Sequence, residues 1–282
     1  MTDAVIFALL SLGFAGLNDV VFKRYSAKDR SRGMLVFGIG LVWLLLQAFT
    51  GGMPRTDSTT LVYGLLAGAI LTISNILLIE SLTHIDVSLG STIYRLNTVG
   101  VALFSVMFLS EELGPMKTAG IGCGVLAVLL IAHRSAGLSG GEPHRLFIGL
   151  VILASLLRAI YGVLSKAGLN HGADADTMLL IAAGSWVVGG AIYARLREGR
   201  FRVTGKKAAY ALVSGLLVFL IVNFLMAAVA RGEASVVIPI ANLSFVIALL
   251  ISLMLGMERL SVKKVIAVGC AILSIWLLSL PA

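Results

Sequence analysis

The chain has 282 residues, of which 59% are apolar, 13% are charged and 31 are glycine. A soluble domain carries about a quarter charged residues, so a mean hydropathy of +1.01 excludes a soluble enzyme and a disordered chain. Cys123 and Cys270 lie inside apolar runs, which excludes a disulfide scaffold and favours a packing role. The Lys and Arg residues that give the net charge of +8 lie between apolar segments, which predicts contact with lipid headgroups rather than nucleic acid.

Apolar segments long enough to cross a bilayer follow one another along the whole chain. About 20 residues of helix cross the hydrocarbon core of a membrane, and runs of about that length separate the charged clusters. We therefore predict an all-α membrane protein with ten transmembrane helices. Their predicted limits are 4–22, 33–51, 61–82, 87–109, 114–133, 145–168, 177–196, 207–229, 234–256 and 262–280.

The second half of the sequence repeats the first at a constant offset of 147 residues, as Ser88 and Ser235 illustrate. Shared hydrophobicity explains matching leucines but not matching Glu, Lys and Cys residues, so we infer an internal duplication. Residues 1–134 and 145–282 are the predicted repeats, and 135–144 is the predicted linker. The identical pairs include Leu96/Leu243, Glu111/Glu258, Lys117/Lys264 and Cys123/Cys270.

Each predicted repeat has five spans, an odd number, so the second repeat enters the membrane from the opposite side. Two inverted repeats around a site at the membrane midplane are the architecture of secondary transporters. Sixteen of the 22 Lys and Arg residues lie in or beside loops that follow odd-numbered spans, whereas four lie on the other side. The positive-inside rule predicts a plasma (inner) membrane protein with both termini outside the cytoplasm.

Two segments carry a family resemblance: SEELGPMKTAGIGCGVLAVLLI, and IPIANLSFVIALLISLMLGMERLSVKKVIAVGCAILSIWLL. In each, a helix ends in a turn with a Glu residue and a Gly-containing helix follows. In this the chain resembles the ten-helix EamA-type members of the drug/metabolite transporter superfamily. The resemblance implies a secondary transporter, commonly an exporter of metabolites, driven by proton or solute exchange. Glu111 and Glu258 look like the family's turn residues, and we interpret them as structural caps at helix ends.

Arg95 in the fourth span and Arg158 in the sixth are charges inside predicted membrane helices. Such a charge costs about 2.5–3.5 kcal/mol on insertion and marks a transport pathway by default. A guanidinium binds a carboxylate or phosphate through two hydrogen bonds, so both arginines are candidates for binding an anionic or zwitterionic metabolite, such as an amino acid or organic acid. The alternative is that each pairs with Asp19 or Glu80 and only joins helices.

Asp19 in the first span and Glu80 in the third are the candidates for proton coupling. Protonation of Asp19 and its neutralisation by an arginine are mutually exclusive, which is what exchange of a proton for substrate requires. The alternatives for Asp19 are a solvated helix end or a salt bridge to Lys23. For Glu80 the alternative is an ordinary wet interface.

Neutral polar and aromatic residues inside the spans complete the predicted site. An amide in hydrocarbon must be hydrogen-bonded, so each one joins two helices or lines a cavity. Together with the arginines they predict a hydrated central cavity, and Pro239 predicts a bend in the ninth span beside it. The predicted substrate-binding residues of this class are Asn18, Asn75, Tyr94, Asn97, Tyr161, Trp186, Asn223 and Asn242.

Two other functions stay open at this point: an organic-cation or drug transporter that uses Asp19, Glu80 and aromatic stacking, and a lipid-headgroup carrier. An enzyme is disfavoured, because the spans contain no hydrolase or zinc-peptidase motif. No catalytic residue, metal site or cofactor is predicted. The predicted partners are a small-molecule substrate and membrane lipid, with the chain as a monomer or homodimer.

Overall fold

The computed structural model describes residues 2–26, 31–82, 84–85, 87–132, 142–199, 204–255 and 261–280. Over these residues the chain is all-α. The helices are α1 (Thr2–Ser26), α2 (Arg32–Thr50), α3 (Ser58–Ser81), α4 (Val87–Arg95), α5 (Asn97–Leu109), α6 (Pro115–Ala132), α7 (Glu142–Asn170), α8 (Ala175–Leu196), α9 (Gly205–Arg231), α10 (Ala234–Asn242), α11 (Phe245–Met254) and α12 (Val262–Ser279). Most of the predicted linker, 135–144, lies outside the described residues, so the repeat limits stay predictions.

These helices make up ten membrane spans, because α4 with α5 and α10 with α11 each form one interrupted span. Eight apolar segments of 18 to 27 residues are long enough to cross a membrane, and two shorter ones, Ile93–Leu109 and Pro115–Leu130, complete the set in the described part of the chain. The predicted all-α, ten-span membrane fold is confirmed. The predicted limits agree with the observed ones to within about four residues.

Four helices begin at a polar residue whose side chain accepts a hydrogen bond from a backbone N–H of the first turn. These N–H groups have no partner within the helix, so the cap satisfies them where the chain enters the membrane. At Asp57, hydrogen bonds from the backbone N–H and then the hydroxyl of Thr60 hold the pKa of the carboxyl below its ordinary value. The capping residues are Ser31, Asp57, Asp174 and Thr204.

The packing of the helices follows the sequence repeat. Helices α1, α2, α3, α4–α5 and α6 correspond in order to α7, α8, α9, α10–α11 and α12. Helix α1 packs against α9 and α3 against α7, whereas α2 packs against α8 and α6 against α12. Exchanging the two repeats maps each of these contacts onto a contact of the same set. This is the pattern of two repeats related by a pseudo-twofold axis.

The two ends of the bundle are distinguished by where α1 begins and ends. We name the end at which α1 begins the terminal face, and the end at which it finishes, near Arg24, the basic face. The Arg231 guanidinium at the end of α9 lies 4.8 Å from the Phe7 ring near the start of α1. Tyr25 near the end of α1 packs against Tyr210 near the start of α9. Helix α9 therefore runs opposite to α1 and to its own counterpart α3, so the repeats are inverted.

The interruptions of the fourth and ninth spans lie at equivalent positions. The N–H of Val99 donates to the carbonyl of Leu96 at 3.0 Å, and 147 residues later the N–H of Val246 donates to the carbonyl of Leu243 at 3.0 Å. Each bond joins residues three apart, so each interruption is a single tight turn within an α-helical span. The sequence repeat is thus matched by a repeat in backbone geometry.

The sequence predicts a bend at Pro239, but the ninth span is interrupted further along the chain. Helix α10 continues through Pro239 to Asn242, and the tight turn follows at Leu243. The first repeat makes the same turn at Leu96 with Thr92, not a proline, at the position equivalent to Pro239. Proline is therefore not the cause of the interruption, which belongs to both repeats.

Glycines bring α2 and α8 into backbone contact. A Cβ atom at Gly190 would lie 2.4 Å from the backbone nitrogen of Phe37, and one at Gly33 would lie 2.6 Å from the backbone nitrogen of Ala194. Real Cβ atoms do not approach backbone this closely, so only glycine permits this spacing. Small residues at such interfaces let membrane helices pack tightly, and this contact lies between two corresponding helices of the repeats.

We expect Gly190→Ala to lower the melting temperature of the detergent-purified protein, because overpacking costs about 1–3 kcal/mol. Gly184→Ala is the matched control on the same helix, since nothing lies within 4 Å of its added Cβ. Thermal unfolding followed by fluorescence size-exclusion chromatography measures both variants. Equal melting temperatures for the two would contradict the close approach of α2 and α8.

Candidate functional site

An ion pair joins α1 to the interruption in the fourth span. Arg95 Nη2 lies 2.7 Å from Asp19 Oδ2, and the two side chains are 21% and 34% exposed. Arg95 is the last residue of α4, and Asp19 lies in the second half of α1. A charged group within a membrane span faces protein or water rather than lipid, so we expect the exposed part of this pair to face water.

The same guanidinium reaches the interruption in the ninth span. Arg95 Nη1 donates to the carbonyl oxygen of Asn242 at 2.8 Å and to Ser244 Oγ at 3.0 Å. The carbonyl of Asn242 is free to accept, because the tight turn replaces the α-helical bond at this position. The Ser244 hydroxyl donates in turn to Asp19 Oδ2 at 3.1 Å. The ring of Phe245 lies 5.6 Å from the guanidinium carbon.

The two interruptions exchange hydrogen bonds in a reciprocal pattern. Asn242, the counterpart of Arg95, donates to Asn97 Oδ1 at 2.8 Å and to Thr98 Oγ1 at 3.0 Å. Arg95 donates to Ser244, the counterpart of Asn97. In each repeat the residue before the tight turn therefore donates to the residue after the turn of the other repeat. The site lies where the repeats meet.

Tyr94 connects this cluster to α7. Its carbonyl oxygen accepts from Asn97 Nδ2 at 2.7 Å and from Ser155 Oγ at 3.3 Å, and its hydroxyl lies 3.3 Å from Ser74 Oγ. Ser155 and Arg158 are three residues apart, so they lie on one side of α7. The structure thus places the second arginine one turn from a residue that contacts the first cluster.

Arg158 lies near the middle of α7 and has no acidic partner in the described part of the chain. Its guanidinium carbon is 5.1 Å from the centre of the Tyr161 ring, a cation–π contact. Among the described residues it makes no hydrogen bond and no ion pair, and its side chain is half-buried. The alternative of pairing with Asp19 or Glu80 thus holds for Arg95, which binds Asp19, and not for Arg158.

Glu80 and Asn223 belong to other polar clusters. The Glu80 carboxylate accepts from Tyr193 Oη at 2.7 Å and from Arg197 Nε at 2.8 Å, at the basic face. The hydrogen bond to Glu80 raises the pKa of Arg197 above its ordinary value. Asn223 Nδ2 donates to Gln47 Oε1 at 2.9 Å, towards the terminal face. The structure does not bring either residue to the central ion pair.

Asn18, Asn75 and Trp186 have no hydrogen bond to the central cluster. Asn75 Nδ2 donates to the carbonyl of Leu71 in its own helix at 2.8 Å. Asn18 is buried, and its Oδ1 has no hydrogen-bond partner among the described residues. Trp186 packs edge to face against Trp43, with 5.9 Å between ring centres, and neither indole N–H has a described partner. Their roles in substrate binding stay predictions.

Two small cavities lie in the bundle, and one of them adjoins the predicted residue Tyr161. One of about 10 Å³ lies beside Tyr161 and Ser165 and has room for about one water molecule. The other, of about 70 Å³, lies beside Gln47 and Asp176 towards the terminal face. Neither of these cavities is lined by Arg158 or Asp19.

Sequence reasoning missed Ser244, Trp43 and Gln47. The offset of 147 could have identified Ser244, because it is the counterpart of Asn97. Trp43 and Trp186 are 143 residues apart, so a single offset across the whole chain conceals their correspondence. Gln47 is an amide in an apolar helix, the same signal that identified Asn223. In the described part of the chain, no three His, Cys, Asp or Glu residues are placed to hold a metal ion.

Comparisons with known proteins agree with this architecture. A family model described as "EamA-like transporter family" matches residues 2–133 and again residues 145–280. No curated protein matches the sequence. A solved crystal structure, whose description names no function, has a TM-score of 0.83 and 15% identity. The match covers 99% of this chain and 97% of the other, and at this identity it shows the fold.

We expect Asp19→Asn and Arg95→Gln each to lower the melting temperature, because each leaves the other charge without its partner. The double variant should be more stable than the two single effects predict, by a coupling energy of about 0.5–3 kcal/mol. Glu80→Gln is the control, since Glu80 binds Arg197, and its effect should add to that of Arg95→Gln. Additive effects of Asp19→Asn and Arg95→Gln would show that the pair is not energetically coupled.

Proposed function

Because the chain belongs to the EamA-like transporter family, we propose that it is a secondary active transporter of a small anionic or zwitterionic metabolite. Amino acids and organic acids are the substrate classes with the required carboxylate. Inverted repeats that meet at the middle of the membrane support alternating access, in which the repeats exchange conformations around a fixed site. The resemblance to the ten-helix EamA-type transporters is confirmed by the family match.

Arg158 is the observation that carries the choice of substrate. A guanidinium in the middle of a membrane helix is costly, and in most proteins it is neutralised by a nearby carboxylate. Arg158 has only an aromatic ring as a described partner. A substrate carboxylate bound through two parallel hydrogen bonds supplies the missing counter-ion. Burying the unpaired charge of Arg158 raises the free energy of the substrate-free state, and this favours the substrate-bound state by comparison.

The Asp19–Arg95 pair supports a coupling mechanism. Protonation of Asp19 removes its charge and releases the Arg95 guanidinium, which can then bind a second anionic or polar group of the substrate. A zwitterion can instead place its ammonium group on Asp19 and its carboxylate on an arginine. Glu80 is held by Arg197 and Tyr193, so we assign proton coupling to Asp19 and keep Glu80 as the second candidate.

The charge balance of the site argues against an organic cation. Asp19, Arg95 and Arg158 together carry a net charge of about +1 with Asp19 ionised, and more with Asp19 protonated. An organic cation would meet an uncompensated positive charge in a medium of low dielectric constant, where like charges repel strongly. A substrate with one negative charge balances the site. In this proposal the basic face is the cytoplasmic one.

We expect Arg158→Gln to reduce uptake of labelled anionic and zwitterionic amino acids into proteoliposomes by at least tenfold, because the counter-ion for the carboxylate is lost. Arg158→Lys should retain part of the activity, since it keeps the charge but loses the paired hydrogen bonds. Arg231→Gln is the matched control, because Arg231 also lies over an aromatic ring but at the terminal face. Transport of organic cations alone, undiminished in Arg158→Gln, would contradict the proposed substrate class.

We expect Asp19→Asn to abolish accumulation driven by a pH gradient while exchange of labelled for unlabelled substrate continues, because asparagine cannot carry a proton. A pH-sensitive dye inside the proteoliposomes should report substrate-dependent proton movement for the parent protein and none for the variant. Glu80→Gln tests the second candidate in the same assay. Unchanged proton movement in Asp19→Asn would remove Asp19 from the coupling step.

A further inference from the structure

The repeats are symmetric in sequence but not in the packing of their interrupted helices. Helix α10 packs against α5, and it also contacts α1, α6, α7, α9 and α12. By the repeat, the contact equivalent to α5 with α10 is α11 with α4. In the described part of the chain α4 packs against α7 and α6, and it does not form a comparable contact with α11. Over the described residues the bundle is therefore closed between α5 and α10, towards the terminal face, and has no comparable closure between α4 and α11, towards the basic face.

A group of charged residues in the loop between α5 and α6 fixes the start of α10. The Glu111 carboxylate accepts hydrogen bonds from the backbone N–H groups of Ala234 at 2.8 Å and Ser235 at 2.9 Å. These N–H groups begin a helix, so they have no partner within it and carry the positive end of the helix dipole. A carboxylate bound to two of them makes two charge-assisted hydrogen bonds between the repeats.

Lys117 strengthens the same connection from the start of α6. Its side chain is buried, and its ammonium group donates to the carbonyl oxygen of Glu112 at 3.0 Å and to the carboxylate of Glu233. Glu233 directly precedes α10. Glu111 of the first repeat therefore binds the first residues of α10, and Lys117 binds the residue before it. We name Glu111, Lys117 and Glu233 the latch.

The helices that the latch holds together are closely packed, but two of their buried hydroxyl groups lack a hydrogen-bond partner among the described residues. Every residue of α10 from Ala234 to Ala241 is buried. Beside the latch, the hydroxyls of Ser105 on α5 and Ser235 on α10 are buried without a hydrogen-bond partner among the described residues. A buried hydroxyl without a partner disfavours the state that buries it. Separation of α5 from α10 would expose both hydroxyls to water, so opening regains their hydrogen bonds.

We propose that the latch is the gate lock of the terminal face. It positions α10, and through α10 the Asn242 and Ser244 groups that bind Arg95, while the central site communicates with the basic face. Release of Glu111 from α10 lets α5 and α10 separate and opens the site to the terminal face. This inference rests on the proposed transport function, because only alternating access requires the gate to open.

The sequence supports a lock of this kind at both faces. Glu258 and Lys264 repeat Glu111 and Lys117 at the offset of 147, and Asp86 stands where the second repeat has Glu233. Two gates that open alternately need equivalent parts, and the duplication supplies them. Glu258 and Asp86 lie outside the described residues, so the test is confined to the lock of the terminal face.

The experiment measures how fast a membrane-impermeant thiol reagent modifies a cysteine placed in the closed gate. The parent variant lacks the native thiols through Cys123→Ala and Cys270→Ala and carries Ser105→Cys as the reporter. We expect Glu111→Gln and Lys117→Met to accelerate modification from the terminal face at least fivefold. Right-side-out and inside-out vesicles distinguish the faces, and the acceleration should occur from one face only.

Two controls separate release of the lock from general loosening. Glu112→Gln removes the same charge from the same turn, but the Glu112 side chain is exposed and makes no described hydrogen bond or ion pair, so the rate should not change. A second reporter, Ser81→Cys, is buried at the basic-face end of α3, and Glu111→Gln should not accelerate its modification. Should Glu111→Gln fail to fold, Lys117→Met and the charge-conserving Lys117→Arg give the same comparison.

The labelling assay needs no substrate, so its outcome is independent of the proposed substrate and coupling. An unchanged rate at Ser105→Cys in the folded latch variants overturns the inference, and so does acceleration at both reporters. In transport assays, the latch variants should also raise the apparent KM measured from the basic face with a smaller change in turnover. A purely structural role would lower the amount of active protein and leave KM unchanged.

Discussion

The architecture depends on a constraint that every membrane protein meets: backbone groups inside the bilayer need hydrogen-bond partners. Interrupting a helix at the midplane leaves a carbonyl group without its usual donor, at a cost of about 1–3 kcal/mol if it stays unsatisfied. Arg95 resolves this by donating to the free carbonyl of Asn242 and to Ser244 with one nitrogen, and to Asp19 with another. One guanidinium therefore joins both repeats and α1.

The residues that support the interrupted ninth span are also the charged residues of the candidate site. Asp19 neutralises Arg95, and Ser244 binds both of them. Whatever changes the charge of Asp19 thus changes the support for the interrupted ninth span as well. In the proposed mechanism a proton or a substrate carboxylate changes this local charge, and the interrupted helix is the bistable element on which alternating access depends.

Most of the fold could be predicted from the sequence, because hydrophobic length and charge decide which segments cross a membrane. The duplication could also be predicted from the sequence, since charged and cysteine residues recur at one offset. The break in the ninth span was expected at Pro239 and lies at Leu243, because its cause is a tight turn common to both repeats. Hydropathy does not report such a turn.

The site was predictable in its residue types but not in its partners. Arg95, Arg158 and Asp19 were identifiable as charges within spans, yet the sequence could not show that Asp19 binds Arg95 and leaves Arg158 without a counter-ion among the described residues. Which carboxylate meets which arginine depends on the packing of α1 beside the interrupted helices. Glu80 was the second candidate for proton coupling, and the sequence could not show that it binds Arg197 at the basic face. The asymmetry between α5–α10 and α4–α11 was likewise inaccessible, because both pairs have related sequences.

The backbone contact between α2 and α8 has a further consequence. It joins two corresponding helices, so exchanging the conformations of the repeats maps this contact onto a contact of the same two helices. In the proposed alternating-access cycle, a contact of this self-corresponding type can serve as a pivot. The glycines at this contact leave no room for a side chain, so stabilising substitutions belong at other helix contacts.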